Sequence, residues 1–358
     1  MQKMPLIIAE AGVNHNGSQE RALELIDIAA DAGADIVKFQ SFTAKTLASE
    51  NAPKASYQKK TTDTAESQYD MLAKLEMSHS MHLALIAHCK EKGIEFLSTP
   101  FDVSNLHYLL DLNIGRIKLP SGEIHNVPLL ETSAKSGLPI ILSTGMCNLA
   151  DIESSLGVIA FSLAGESNKQ ASLQAYKEAL SDKAVWDTLK ERVTLLHCTT
   201  QYPTPLEGVN LNAMVTMRNA FGLSVGYSDH TEGVTVPIAA TAFGAEVIEK
   251  HFTLDKNLPG PDHKASLDPN ELKAMVKGIN DAATSLGNGR KAPALSEVEN
   301  LAVVRKSLHA ARDIQVGDTF TEDNLTLKRP GTGMSPLKYR DLIGTLAKRT
   351  YKTGEIIC

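Results

Sequence analysis

Four cysteines, Cys89, Cys147, Cys198 and Cys358, are scattered through 358 residues without a C-x-x-C pair. That spacing offers no disulfide framework and reads as reduced thiols in a cytoplasmic protein. Positive charge is also short: 36 Lys and Arg against 42 Asp and Glu leave a net charge of −6. A chain without a basic footprint is not expected to bind nucleic acid. An anionic substrate would have to be captured by local charge, because the overall field does not favour it. Long apolar runs are missing as well. The run Leu6–Ala9 is interrupted by Glu10, too short for a signal peptide or a membrane span, so no membrane partner is expected. What is present, 42% hydrophobic and 22% charged residues, is ordinary for a soluble globular protein long enough for two domains.

Short apolar runs alternate with amphipathic segments. Pro5–Glu10 reads as a strand, and Ser18 caps a helix through Leu23, Ile26 and Ala30 that Gly33 ends. Ile36–Gln40 is a second strand, followed by a long polar loop from Thr43 to about Glu66. Strands recur at Ile94–Thr99, Arg116–Pro120, Pro139–Ser143, Val193–His197, Leu223–Gly226 and Val247–His251. Helices with i, i+3, i+4 apolar spacing, such as His82–Lys92 and Val127–Ser136, lie between them. Roughly eight βα units predict an α/β fold, a (β/α)8 TIM barrel, with a doubly wound sheet as the alternative.

Polar residues gather where these strands end. Glu10 ends the first, Lys38 and Gln40 the second, Ser98 and Thr99 the third. Lys118, Ser121 and Glu123 end the fourth, Ser143 and Thr144 the fifth, and Glu249, Lys250 and His251 the eighth. In a barrel these ends meet on one face, where active sites are built. The sixth run, Val193–Pro205, stops at His197 in a cluster of hydroxyls closed by Pro203 and Pro205. Leu223–His230 repeats the arrangement, with Asp229 beside the histidine. Two imidazoles at adjacent strand mouths can converge on one divalent ion, so His197 and His230 are the candidate metal pair. Strand neighbours point to opposite faces, so an inward His197 places Cys198 in the helix layer as a packed thiol.

Three stretches depart from the βα rhythm. Gly165–Lys190 is polar and helical in spacing with a weak apolar face, and reads as a surface insertion within a barrel domain of residues 1–286. Residues 287–300 form a Gly-, Lys- and Pro-containing linker. Residues 301–358 form a small unit of short strands and turns, whose marginal core needs another surface to lean on.

The strand-end motifs in order are Ala9–Gly17 (A-E-A-G-V-N-H-N-G), Val37–Gln40 (V-K-F-Q), Ser98–Phe101 (S-T-P-F), Lys118–Glu123 (K-L-P-S-G-E) and Leu142–Met146 (L-S-T-G-M). They continue with Leu196–Thr199 (L-H-C-T), Tyr202–Pro205 (Y-P-T-P), Gly226–Thr231 (G-Y-S-D-H-T), Glu249–Phe252 (E-K-H-F) and Pro259–His263 (P-G-P-D-H). Together they resemble the sialic acid synthase family nearly end to end. The last unit, with Lys328–Gly331 (K-R-P-G), looks like its antifreeze-like (SAF) domain, a β-clip fold. The resemblance implies condensation of phosphoenolpyruvate with the open-chain aldehyde of an N-acetylated hexosamine, giving a nine-carbon 2-keto sugar acid and phosphate. It implies a divalent ion between the two histidines, manganese first, with magnesium or cobalt as substitutes. It also implies a homodimer in which the C-terminal domain is swapped onto the partner's barrel.

The residues suit that chemistry. Phosphoenolpyruvate needs cations and fixed donors, which Lys38 and Lys118 with Thr99, Ser121 and Ser143 supply. Glu123 is the favoured carboxylate to take the proton of the attacking water, with Glu10 as the other candidate. Gln40, Tyr202 and Asp229 are candidate sugar contacts, and the resemblance adds Arg329 at the N-acetyl group. The expected sugar is N-acetylmannosamine, as in N-acetylneuraminate synthases. The legionaminate branch, using a 2,4-diacetamido-6-deoxy hexose, shares the same motifs. Two rival readings are a metal-dependent barrel hydrolase or lyase, which has no need of paired strand lysines, and a non-catalytic antifreeze-like binding protein, which leaves the polar strand ends unexplained.

Overall fold

The computed structural model describes residues 4–49, 52–54, 67–165 and 170–358. Most of the second half of the expected Thr43–Glu66 loop and residues 166–169 of the expected insertion lie outside the described residues. The chain divides into two compact units, Met1–Asn288 and Gly289–Cys358.

The first unit opens with β1 (Leu6–Gly12), α1 (Gln19–Asp31), β2 (Ile36–Ser41), α2 (Ala44–Leu47), α3 (Gln68–Ala73), α4 (His79–Lys92) and β3 (Glu95–Pro100). It continues through α5 (Val103–Asp111), β4 (Ile117–Leu119), α6 (Val127–Lys135), β5 (Ile140–Ser143) and α7 (Leu149–Leu163). Then follow α8 (Leu173–Ser181), α9 (Lys183–Arg192), β6 (Val193–Cys198), α10 (Asn212–Phe221), β7 (Ser224–Asp229), α11 (Thr235–Ala242), β8 (Val247–His251) and α12 (Pro269–Ser285). The eight strands are parallel and run β3-β2-β1-β8-β7-β6-β5-β4. Because β1 pairs with both β2 and β8, the first and last strands are neighbours, the signature of a TIM barrel. Beside the seam between β3 and β4, Arg116 donates to both carboxylate oxygens of Glu95 at 2.7 and 2.8 Å.

Local chemistry sets the element ends. Ser18 accepts from the Arg21 amide at 3.3 Å and so opens α1. Its exit is Gly33, whose φ of +82° suits glycine. Along every strand, alternate side chains face inward. Ile8, Ile36, Leu97, Ile141, Leu196 and Val247 form the barrel floor. Residues of the other parity, such as Val37, Phe39, Leu195, Val225 and Tyr227, join the larger core shared with the helices. Gly226 has no side chain where the floor is tightest: a Cβ there would sit 2.7 Å from Leu196 Cδ2 and would run into the Val247 carbonyl.

The insertion is packed rather than merely solvated. Ala175, Ala179 and Leu189 of α8 and α9 are buried, and Tyr176 meets Phe161 of α7 edge to face at 5.5 Å. No helix among the described residues is long and apolar enough to cross a membrane.

The second unit contains α13 (Leu295–Val304), β9 (Ser307–Ala310), β10 (Leu325–Lys328) and α14 (Tyr339–Leu342). The expected linker at 287–300 therefore already contains the first turns of a helix. The Pro-containing stretch ends at Pro293, and Glu297 accepts from the Ala294 amide at 2.8 Å to open that helix. Antiparallel pairing of β9 with β10 and the buried side chains of Leu308, Phe320, Leu325, Tyr351 and Ile357 make a small core of its own.

Candidate active site

Above the apolar floor, the same inward parity turns polar. Glu10 on β1, Lys38 on β2, Thr99 on β3, Lys118 on β4, Ser143 on β5, Cys198 on β6, Ser228 on β7 and Glu249 on β8 all line one cavity of about 220 Å³ at the strand ends. Lys38 Nζ lies 2.7 Å from Glu10 Oε2 and 3.6 Å from Glu249 Oε2, and donates to Thr99 Oγ1 at 3.1 Å. Lys118 Nζ donates to Ser143 Oγ at 2.8 Å and lies 3.5 Å from Glu249 Oε1. Two ammonium groups and two carboxylates thus share a buried cradle whose formal charges cancel.

The two carboxylates respond differently. Burial pushes both up. For Glu249 the Lys118 and Lys38 charges and the bond from Ser228 Oγ at 2.9 Å win, holding it below the usual carboxylate range. Glu10 faces Lys38 closely but also feels the Glu249 charge, and is raised to about 7. A proton entering the cradle therefore goes to Glu10. Lys118 is lowered by burial, whereas the neighbouring carboxylates raise Lys38 against the same burial.

Two imidazoles stand on the rim of the cradle. His230 Nδ1 donates to the Thr199 carbonyl at 2.6 Å, because a carbonyl can only accept. That bond fixes the tautomer and leaves Nε2 with a free lone pair. The His251 ring lies 5.7 Å from it, and buried His251 Nδ1 has no hydrogen-bond partner. Gly12 makes room for that ring: its φ is +54°, and a Cβ there would lie 3.2 Å from His251 Cε1. Burial lowers His230 and lowers His251 well below the usual range, so both are neutral, as a metal ligand must be. Tyr202 stacks at 4.1 Å on His230 and meets His251 edge-on at 6.0 Å. An orphaned nitrogen beside an imidazole with a free lone pair fits a divalent ion with mixed nitrogen and oxygen ligands. Among the described residues no group of three or more His, Cys, Asp and Glu could hold a metal, so the two rings would leave most positions open to water or substrate.

Four expectations change, those for His197, Cys198, Asp229 and Glu123. His197 does not face the cavity: its Nε2 donates to the Val209 carbonyl at 2.8 Å, and it lines a separate space with Thr144, Asn210 and Met217. Parity is the reason, since Leu196 in the floor and Cys198 in the cradle are the inward residues of β6. The candidate metal pair therefore becomes His230 with His251, and Cys198 points inward, 3.2 Å from Ser121 Oγ. Asp229 also faces outward, ion-paired with buried Lys250 and accepting from the Thr231 amide at 3.0 Å, so it is not free for sugar. Glu123 lies in the turn after β4, where Asn126 Nδ2 donates to it at 2.7 Å, and it is not on the cavity wall. Of the two candidate carboxylates, Glu10 is the one on the cavity wall.

Lys38, Gln40, Thr99, Lys118, Ser121, Ser143, Tyr202 and His230 are brought together on the cavity wall. Arg329 belongs to the second unit, where its Nε donates to the Val304 carbonyl at 2.9 Å. Sequence reasoning placed Glu249 and His251 at the eighth strand end without giving them a role, and passed over Ser228 on the cavity wall and buried Asp262 on the wall of the adjoining cavity. The first two were legible as an E-x-H pair of one parity on β8.

Residues 25–291 match the NeuB family and residues 305–357 the SAF domain. The chain is 49% identical over 355 residues to the N,N'-diacetyllegionaminic acid synthase of Campylobacter jejuni subsp. jejuni serotype O:2, covering 99% of each chain. It is 44% identical to the protein of that name from Legionella pneumophila, covering 97% of this chain and 92% of the other. Among solved structures, the N-acetylneuraminic acid (sialic acid) synthetase of Leptospira borgpetersenii serovar Hardjo-bovis, in complex with citrate, superposes with a TM-score of 0.67 at 33% identity. That match covers 84% of this chain and 90% of the other. The chain belongs to the NeuB family and carries its SAF domain at the C-terminal end.

Proposed function

We propose that this chain joins phosphoenolpyruvate to the open-chain aldehyde of a 2,4-diacetamido-6-deoxy hexose, giving N,N'-diacetyllegionaminate and phosphate. The observation that carries the reading is the pair of buried ammonium groups, Lys38 and Lys118, each set against a hydroxyl in the barrel mouth. A substrate with nearly three negative charges is what such a cradle is built to hold. The relatives of 49% and 44% identity, both named for the legionaminic product, favour this sugar over N-acetylmannosamine. In either case the enzyme is a phosphoenolpyruvate-dependent transferase that forms a carbon–carbon bond.

Lys38, Lys118, Thr99, Ser121 and Ser143 would bind the phosphate and carboxylate, the lysines exchanging Glu10 and Glu249 for substrate oxygens. Gln40 and Tyr202 orient the sugar so that its aldehyde carbon meets C3 of the enol. The enol electron pair forms the new bond as the C2–C3 double bond opens, and the aldehyde oxygen takes up a proton from solvent. Water traps the electron-poor C2 and gives its proton to Glu10. The tetrahedral carbon then collapses to the ketone, expelling phosphate as its hydroxyl proton leaves. A divalent ion held by His230 and His251, manganese first, would supply Lewis acidity at the aldehyde oxygen. A cytoplasmic homodimer in which Arg329 of one copy serves the sugar site of the other belongs to the same reading.

The test is phosphate release from phosphoenolpyruvate with manganese, comparing N-acetylmannosamine with its 2,4-diacetamido-6-deoxy analogue. Faster release with the analogue, abolished by chelator, is expected. Release with N-acetylmannosamine alone would move the enzyme to the neuraminate branch, and release with neither would sink the reading.

A further inference from the structure

A second cavity, of about 330 Å³, adjoins the cradle and shares Gln40, Phe101, Pro120, Tyr202 and His251 with it. Its remaining wall is mixed: buried Asp262, with Pro261 beside it, lies on the same chamber as an aliphatic cluster. Val13, Phe42, Met71 and Leu75 form a buried apolar cluster, with Leu47 and Leu72 packed against it. The Phe42 and Phe101 rings meet edge to face at 5.9 Å and stiffen the side nearest the cradle. This cluster is separate from both the barrel floor and the main core. On the same wall, in the first turn of α3, sits Gln68, half-buried and without a side-chain hydrogen bond among the described residues.

The position of the chamber decides which part of a substrate it meets. The reacting aldehyde must lie at the cradle, against Lys38, Lys118 and the two imidazoles. The shared residues Gln40 and Tyr202 then flank the middle of the sugar, and the carbons farthest from the aldehyde enter the chamber. In N-acetylmannosamine those carbons carry hydroxyls, and any that faces the aliphatic cluster loses water without gaining a partner. In the 2,4-diacetamido-6-deoxy sugar, C6 is a methyl group and C4 carries an acetamido group. The methyl groups match the aliphatic wall. The acetamido group has one N–H donor and one carbonyl acceptor, the complement of a glutamine side-chain amide.

We propose that this chamber is the specificity pocket for the C4–C6 end of the sugar, in which Met71, Leu72 and Leu75 receive the methyl groups and Gln68 pairs with the C4 acetamido group. The inference rests on the reading of the chain as a nonulosonate synthase and adds what selects the substrate. The aliphatic wall supplies the smaller part of the selection, because an apolar pocket rejects an added hydroxyl only weakly. Gln68 supplies the larger part, because the 6-deoxy sugar without a C4 acetamido group leaves this half-buried amide without its partner.

The experiment measures kcat/KM for phosphate release with three sugars: N-acetylmannosamine, its 6-deoxy derivative and the 2,4-diacetamido-6-deoxy analogue. The wild type is compared with Gln68→Ala and Leu72→Gln. Gln68→Ala is expected to lower the preference for the diacetamido sugar over the 6-deoxy sugar about tenfold or more. Leu72→Gln is expected to narrow the preference for the 6-deoxy sugar over N-acetylmannosamine. Because each readout is a ratio between sugars, a general loss of folded enzyme does not move it. A wild type that turns over the diacetamido sugar while both ratios stay unchanged in the variants overturns the pocket and leaves the proposed function standing. A wild type active with none of the three sugars overturns both.

Discussion

Two carboxylates and two ammonium groups share one buried cradle, and its most available proton site is Glu10. Glu249 lies between both lysines and accepts from Ser228, so its charge is well compensated. Glu10 has one close lysine and a carboxylate neighbour, and burial raises it to about 7. The sign for activity follows. Below that pH the carboxyl holds its proton and cannot take one from water; above it, the carboxylate is free to do so. We expect kcat/KM to rise with pH through about 7 and then level off. Glu10→Gln should remove that limb and lower the rate by roughly 10²–10⁴-fold. A limb of unchanged position in the Gln variant would show that another group takes the proton.

At the scale of the element, strand parity assigns side chains to the cradle or to the helix layer. Glu10, Lys38, Thr99 and Ser143 occupy the same inward set as the apolar floor two residues earlier. The floor tolerates no added bulk at Gly226, where a Cβ would meet the Val247 carbonyl and Leu196. Gly226→Ala should therefore destabilise the barrel by about 1–3 kcal/mol, read as a lower urea midpoint. An unchanged midpoint would mean that β7 and β8 move apart easily. This same parity explains what was legible in the sequence. The strands and their polar ends could be read because short apolar runs stop at turn signals. The facing of His197 could not be read from its position at the strand end, only from the registration of Leu196 in the floor. His251 was in view as the polar end of the eighth strand, but nothing in the sequence showed that its ring meets that of His230. The chamber around Gln68 was illegible because it is assembled from β1, α2, α3 and the turn after β3, segments distant in sequence with no shared motif.

For the whole molecule, a net charge of −6 provides no long-range attraction for phosphoenolpyruvate. Capture must therefore come from the cradle and from any cation bound beside it. Eight strands converge to make that possible, and the SAF domain follows as a second unit with its own small core. One mouth, lined by inward-facing strand ends and the loops after them, would hold both the anion cradle and the candidate metal pair. Manganese titration of the apoprotein by calorimetry tests it most directly. Wild type and His197→Ala should bind one ion per chain with similar affinity. His230→Ala and His251→Ala should weaken binding by at least the roughly 100-fold that loss of even an outer-shell partner can cost. Binding lost in His197→Ala and kept in His251→Ala would contradict the account.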